Sequence, residues 1–206
     1  MFITLEGPEG SGKTTQAQRL YRFLCDSGRQ AMLMREPGGT ALGDKLREIV
    51  MFSGDVPISS RAEVLLFAAA RAQLVEEVLL PRIREGFIVV CDRYADSTLA
   101  YQGYGRGIDR SRLRSVIDFA TGGLTPDLTF LFDVPVEIGL SRNRSGQLSA
   151  DRFEQEDLDF HSRVRQGYLD MARAEAQRWV VINATLPVDA VWERVREETL
   201  DRLGTP

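Results

Sequence analysis

The sequence predicts an α/β fold in which a five-stranded parallel sheet is covered by helices on both faces. Three observations carry that prediction. Five short apolar runs rich in Val, Ile, Leu and Phe lie at 2–6, 31–35, 87–92, 128–134 and 179–183, and helical patterns separate them. The runs are near-continuous, as strands buried on both faces require, and do not alternate. The 206 residues, 43% hydrophobic and 27% charged, suit one core domain spanning 1–206.

In chain order, FITLE at 2–6 is the first strand and Lys13 opens a helix over 13–26. The second strand, 31–35, leads to a helix at 41–52, and a long helical pattern over 61–84 precedes the third strand at 87–92. A helix at 112–121 leads to the fourth strand, 128–134. Helices at 137–144 and 155–177, the fifth strand at 179–183 and a helix at 188–203 complete the order. Strand, helix and strand in succession build right-handed crossovers, and ligands gather at the carboxyl ends of such strands. SGQLSA, at 145–150, is small and polar and reads as a mobile loop between two helices.

Composition excludes several functions. No apolar run approaches the roughly 20 residues that span a bilayer, and the apolar stretch from Phe2 to Leu5 is too short for a signal peptide. A soluble, cytoplasmic protein is expected. Two cysteines, Cys25 and Cys91, make neither a disulfide framework nor a CxxC metal site. A net charge of −4 gives no global attraction to nucleic acid or to an anionic membrane.

The chemistry starts at GPEGSGKT, residues 7–14, which fits G-x-x-x-x-G-K-[ST] between a strand and a helix. Gly7, Gly10 and Gly12 permit turns that point successive N–H groups of the Gly7, Pro8, Glu9, Gly10, Ser11 and Gly12 loop at phosphate oxygens. Lys13 supplies charge to the outer phosphates, Thr14 offers a hydroxyl to Mg²⁺, and the helix N-terminus adds its partial positive charge. Only Lys13 and Lys45 of the 26 basic residues are lysines, and one of them falls where the loop needs it. Neither sits in an Asn-Lys-x-Asp motif of the kind that reads guanine, so ATP is the expected nucleotide.

A second phosphate is implied by arginines at the expected carboxyl edge of the sheet: Arg35, Arg93, and Arg142, Arg144 and Arg152 around the loop. An acceptor monophosphate carries roughly two negative charges, so several cations are needed to bring it against ATP. A mobile arginine-bearing lid over about 142–153 would also exclude water as a competing acceptor. Asp92, ending the third strand, is either a Mg²⁺ ligand or a strand-end cap.

The segments EGPEGSGKTTQ (6–16), REPGGTALGDKLREIV (35–50), LLFAAARAQ (65–73), CDRYADSTLAYQG (91–103), GLTPDLTFLFDV (123–134) and DRFEQEDLDFHSRV (151–164) together resemble the thymidylate kinase family of nucleoside monophosphate kinases. The resemblance implies a three-layer P-loop kinase fold, ATP and dTMP as substrates, Mg²⁺ as cofactor and a homodimer. Phe67 and Arg71 lie four apart on one predicted helix, so they share a face. By resemblance they stack on thymine and donate to its carbonyl oxygen; without it, Phe67 reads as core. Gln102 could answer the N3–H of the base, and Tyr101 could crowd a 2′-hydroxyl. By the same resemblance, Arg35, Arg47 and Arg93 contact the acceptor phosphate and Glu9 the 3′-hydroxyl. Glu36 and Ser97 belong to the surrounding hydrogen-bond network, and Arg142 lies against adenine. Some members carry an arginine inside the phosphate loop; this chain has Gly10 there, so it resembles those that supply the arginine from the lid. Arg144 and Arg152 are both candidates, and Arg152 could equally be held by salt bridges. His161 is expected at an exposed or packed helix position. The apolar faces within 64–80 offer a dimer surface or, equally, core packing.

Overall fold

A computed structural model describes residues 1–52, 56–144, 152–153 and 155–204, the side chains of residues 143 and 144 excepted. The strands are β1 (Phe2–Glu6), β2 (Ala31–Arg35), β3 (Ile88–Asp92), β4 (Leu128–Asp133) and β5 (Trp179–Asn183). They form one parallel sheet in the order β2-β3-β1-β4-β5. Chain connections turn in opposite directions on either side of β1, and a crevice opens where they diverge. The register pairs Leu5 with Asp92, so β1 and β3 end side by side at that crevice.

Strand residues sort by parity, as a period of two dictates. Ile3, Leu5, Ile88, Val90, Phe130 and Phe132 pack with Leu20 and Leu24 of α1 (Lys13–Asp26), and with Val191 and Val195 of the last helix, Val188–Leu203. On the other face Phe2, Val89 and Cys91 meet Leu74, Val75 and Leu79. Leu131 meets Val164, Tyr168 and Met171 of the helix Leu158–Ala174. Helices therefore cover both faces.

Between β2 and β3 run α2 (Ala41–Phe52), α3 (Ser60–Leu74) and α4 (Leu80–Arg84). The helix expected over 61–84 is one continuous helical stretch, with a π-helical turn at Val75–Leu79 between α3 and α4 and right-handed helical angles on both sides of it. Pro81, which has no N–H to give the helix, follows directly on the π-helical turn. The sequence reading gave no helix to the segment after β3. The structure has α5 (Ala95–Thr98) and a second π-helical stretch, Leu99–Gly105. Then follow α6 (Arg110–Thr121), α7 (Val136–Arg144), α8 (Leu158–Ala174) and α9 (Val188–Leu203). The start of α8 lies inside the expected 155–177 because Asp157 caps it, its Oδ1 accepting from Phe160 N at 2.6 Å.

Most of the expected lid, 142–153, lies outside the described residues. Of the two readings of 64–80, core packing accounts for Val64, Leu74, Val75 and Leu79, which are buried, whereas Leu65 is exposed. Exposed apolar side chains include Leu42, Ile49 and Phe52 of α2, Leu65 of α3 and Phe119 of α6, with others such as Leu158, Val181 and Val188 elsewhere on the surface. No helix among the described residues is long and apolar enough to cross a membrane.

Candidate active site

The carboxyl edge of the sheet opens into a cavity of about 380 Å³. Glu9 to Thr15 of the β1–α1 loop form one wall; Arg35, Arg47, Phe67 and Arg71 face it from β2, α2 and α3. Arg93, Ser97, Tyr101 and Gln102 enter from the segment after β3. Glu36, Asp92 and Arg142 also line it. The sequence-predicted residues thus converge, apart from Gly7 and Pro8 at the base of the loop and the two lid arginines.

Lys13 is buried, its Nζ donating to Pro8 O at 2.8 Å and to Ser11 Oγ at 3.1 Å. The ammonium therefore braces the loop from within. Burial, with the Arg93 charge adding, lowers its pKa to about 8. Phosphate oxygens favour the protonated form, so nucleotide capture is expected to weaken once pH passes about 8. A profile of kcat/KM for ATP should bend downward around pH 8, where half of the ammonium is lost, and then fall with a slope approaching −1. A level profile to pH 10 would contradict this account of Lys13.

Gly10 and Gly139 of α7 touch backbone to backbone: a Cβ on Gly10 would stand 1.9 Å from Gly139 O, and one on Gly139 would stand 2.3 Å from Glu9 O. With φ of 64° at Gly10 as well, no side chain fits there. An arginine at position 10 is therefore sterically closed to this chain.

Arg93 has φ of 69°, and among the described residues it is the one non-glycine with positive φ. Its Nη1 donates to Gly7 O (3.1 Å), Tyr168 Oη (3.2 Å) and Ser97 Oγ (3.4 Å). Nη2 donates to Glu9 Oε1 (2.8 Å) and Tyr101 Oη (3.0 Å). Tyr101 in turn donates to Glu9 Oε1 at 2.6 Å. Burial alone would raise the Glu9 carboxyl; Arg93, and then Lys13, overcome that and hold it at about 2. Thr14 Oγ1 donates to Asp92 Oδ2 at 2.5 Å, which brings the two expected metal ligands together.

Arg71 is buried against Glu36, with Nε and Nη2 donating to Glu36 Oε2 at 2.9 and 2.6 Å. Nη2 also reaches Tyr94 O and Nη1 reaches Thr98 Oγ1, so four of its five N–H groups are committed. Burial raises the Glu36 carboxyl, opposed by Arg71, and its Oε1 is buried with no partner among the described residues. Phe67 lies 5.9 Å from the Phe153 ring and lines the cavity, as its helical spacing to Arg71 implies. Gln102 is buried and donates from Nε2 to Glu63 Oε1 at 2.9 Å. Arg35 is exposed at the rim, Arg47 donates to Pro37 O, and Arg142 to Ala184 O.

Of the lid candidates, Arg152 takes the salt-bridge alternative, donating to Glu63 Oε2 at 3.1 Å and to Val50 O. The backbone of Arg144 closes α7; its side chain lies outside the described residues. His161 is buried and packs edge-on to Phe160, the packed alternative.

Sequence reading missed three buried acids. Glu6 accepts from Tyr94 N, Ser97 Oγ and Tyr168 Oη, and burial, with the Asp96 charge adding, pushes its carboxyl up to about 7. Asp96 is held by both Nη atoms of Arg178 at 2.8 Å. Glu63 lies four residues before Phe67 and eight before Arg71, a helical spacing that marks it as sharing their face.

The thymidylate kinase family model matches residues 5–195. The chain is 53% identical to the thymidylate kinase of Deinococcus radiodurans, over 96% of this chain and 97% of that one. It is 50% identical to the thymidylate kinase of Thermomicrobium roseum, over 95% and 94%. The crystal structure of thymidylate kinase from Ehrlichia chaffeensis superposes with a TM-score of 0.79 at 34% identity, covering 97% of this chain and 98% of that one. A phosphate loop facing an arginine-lined cavity, in a chain matched across nearly its whole length, leads to one assignment: the chain belongs to the thymidylate kinase family.

Proposed function

We propose that the protein transfers the γ-phosphoryl group of ATP to the 5′-phosphate of dTMP, yielding dTDP and ADP. The observation that carries this reading is the continuity of the cavity. It runs from Lys13 in the phosphate loop to Phe67, Arg71 and Gln102, whose stacking surface, donor and acceptor match the face and edge of thymine.

The loop from Gly7 to Thr14 grips the ATP phosphates, with Arg142 at the adenine end. Arg35, Arg47 and Arg93 draw the acceptor phosphate to the γ-phosphorus, and Glu9 receives the 3′-hydroxyl. An acceptor phosphate oxygen attacks the γ-phosphorus in line, the bond to the ADP oxygen breaks, and no covalent enzyme intermediate forms. Lys13 and Arg93 offset the charge on the oxygens in transfer, so catalysis is positioning plus electrostatics. Arg144 and Arg152 are the lid candidates for further charge; Arg152 would first have to leave Glu63, which Arg106 alone of the two arginines would then hold.

Thr14 and Asp92 would hold Mg²⁺. One hydroxyl and one carboxylate suit an ion that takes most of its ligands from phosphates and water. Among the described residues no group of three or more His, Cys, Asp or Glu competes for it. When bound, Mg²⁺ neutralises β- and γ-phosphate oxygens.

The protein as proposed is a single kinase domain, cytoplasmic, with neither nucleic acid nor membrane among its partners. The exposed apolar residues of α2, α3 and α6 support a homodimer, to be checked by sedimentation velocity. The deciding experiment measures ADP formation from ATP and Mg²⁺ with dTMP, dUMP, dCMP and AMP as acceptors. Formation that depends on dTMP supports the reading; preference for AMP or CMP, or formation without an acceptor, defeats it. In the same assay Arg71→Ala is expected to reduce discrimination among bases by about 10-fold or more. Unchanged base preference in that variant would remove Arg71 from base reading.

A further inference from the structure

Gln102 has one amide that can meet a base in either of two orientations. With oxygen toward the cavity it accepts from a pyrimidine N3–H, as in thymine. With nitrogen toward the cavity it donates to an unprotonated N3, as in cytosine. The two orientations have almost the same shape, so packing alone does not choose between them.

Glu63 does choose. Its carboxylate is fully buried and lies 2.9 Å from Gln102 Nε2. An ionised carboxylate only accepts, so the amide nitrogen must face it, and the amide oxygen is the atom left for the cavity. The carboxylate is itself pinned. Arg106 donates from Nε to Oε1 and from Nη2 to Oε2, both at 3.3 Å, and Arg152 donates to Oε2 at 3.1 Å. Two guanidinium groups fix the rotation of the carboxylate. Turning the Gln102 amide over would set two acceptor oxygens against each other in a dry interior, where an unmade hydrogen bond is most expensive.

We propose that Glu63 is a positioning residue for base selection. It locks the Gln102 amide with oxygen toward the cavity, and so selects pyrimidines bearing an N3–H over those with an unprotonated N3. The inference rests on the reading of the cavity as a thymidylate site and adds the residue that sets its polarity. Glu63 touches no substrate in this account and acts only through Gln102.

The arrangement also foretells what E63Q would do. Oε2 meets two guanidinium donors, the Nη2 atoms of Arg106 and Arg152, against one at Oε1, the Nε of Arg106, so the carboxamide oxygen of the variant belongs at Oε2 and its NH₂ falls at the Oε1 position, facing Gln102. The Gln102 amide then turns over and presents its NH₂ to the base.

The test compares dTMP with the 5′-monophosphate of 2′-deoxy-5-methylisocytidine. That analogue keeps the 4-carbonyl for Arg71 but has an unprotonated N3. The unaltered protein should strongly favour dTMP. In E63Q the ratio of kcat/KM values is expected to shift toward the analogue by at least about 10-fold, through acceptor KM more than kcat. In a Gln102→Leu background, E63Q should produce no such shift. An unchanged ratio in E63Q protein that turns over dTMP would overturn the proposal, as would a shift that persists without Gln102. Should E63Q fail to fold, side-chain NMR of the unaltered protein with dTMP decides. Cross-peaks between the Gln102 NH₂ and the Glu63 methylenes support the lock, and cross-peaks between that NH₂ and the thymine imino proton refute it. Absence of dTMP phosphorylation by the unaltered protein would instead defeat the thymidylate reading itself.

Discussion

Lys13→Ala is expected to lower kcat by about 10²–10³-fold with dTMP and ATP saturating, the range set by removing one preorganised group from a developing charge. The ammonium is held inside the loop by Pro8 O and Ser11 Oγ, so it needs no reorganisation when charge moves onto the transferring group. Alanine leaves that charge to backbone N–H groups and Arg93. The loss will not come from unfolding. Burial lowers the Lys13 pKa to about 8, below its unfolded value, so at neutral pH the folded state carries a charge that it disfavours, and removing it relieves that penalty. Steady-state kinetics and thermal melting together check both halves. Melting should be unchanged or raised while turnover collapses. A kcat within about fivefold of the unaltered protein would end the assignment of Lys13 to the transferring phosphate.

The strands were legible because a strand buried on both faces must be apolar throughout, and FITLE and LTFLFD are nearly so. The sorting of Ile3 and Leu5 to one face and Phe2 to the other follows from parity, but which helices meet each face does not. The π-helical turn within 61–84 had a local sign, Pro81, which the apolar periodicity on either side concealed. The segment 95–105 gave no such sign. It carries Gly103 and Gly105 and reads as loop, yet Glu6 grips it by Tyr94 N and Ser97 Oγ from 88 and 91 residues away. Long-range polar clamps of that kind have no sequence period. The same reasoning divides the site. Gly7 to Thr14 is a local motif whose function its spacing reveals, and Phe67 and Arg71 share a helix face by simple arithmetic. Glu63, four residues earlier on that face, was visible by the same count but resembles any surface acid until Arg106, Arg152 and Gln102 are seen to converge on it. Likewise Gly10 shows that the loop lacks an arginine, but the backbone of Gly139 that forbids one comes from 129 residues away, and only the fold brings it there.

Arg93 combines charge with an unusual backbone, and the two can be separated. Arg93→Gly and Arg93→Ala are both expected to lose about 10²–10³-fold in kcat, since each removes the guanidinium that joins Gly7 O, Glu9 and Tyr101 at the cavity. They should differ in stability. At φ of 69° a Cβ is strained by about 1 kcal/mol and a glycine is not, so the glycine variant should melt above the alanine variant. Arg93→Lys retains charge, but one ammonium cannot span acceptors that two Nη atoms divide between them, so turnover should still fall by about 10-fold or more. A second readout tests the pairing with Glu9. In the unaltered protein Arg93 and Lys13 overcome burial and hold the Glu9 carboxyl at about 2, so it stays ionised at any working pH. Without Arg93 burial prevails and the carboxyl rises. A group whose charged form is needed then begins to protonate as pH falls, and kcat/KM for dTMP should fall with acid more steeply than in the unaltered protein, where the substrate phosphate and Glu6 already titrate. A variant that loses turnover yet keeps the acid profile of the unaltered protein would show that Lys13 alone holds Glu9 ionised, and that Arg93 acts on the phosphates without setting the charge beside the sugar.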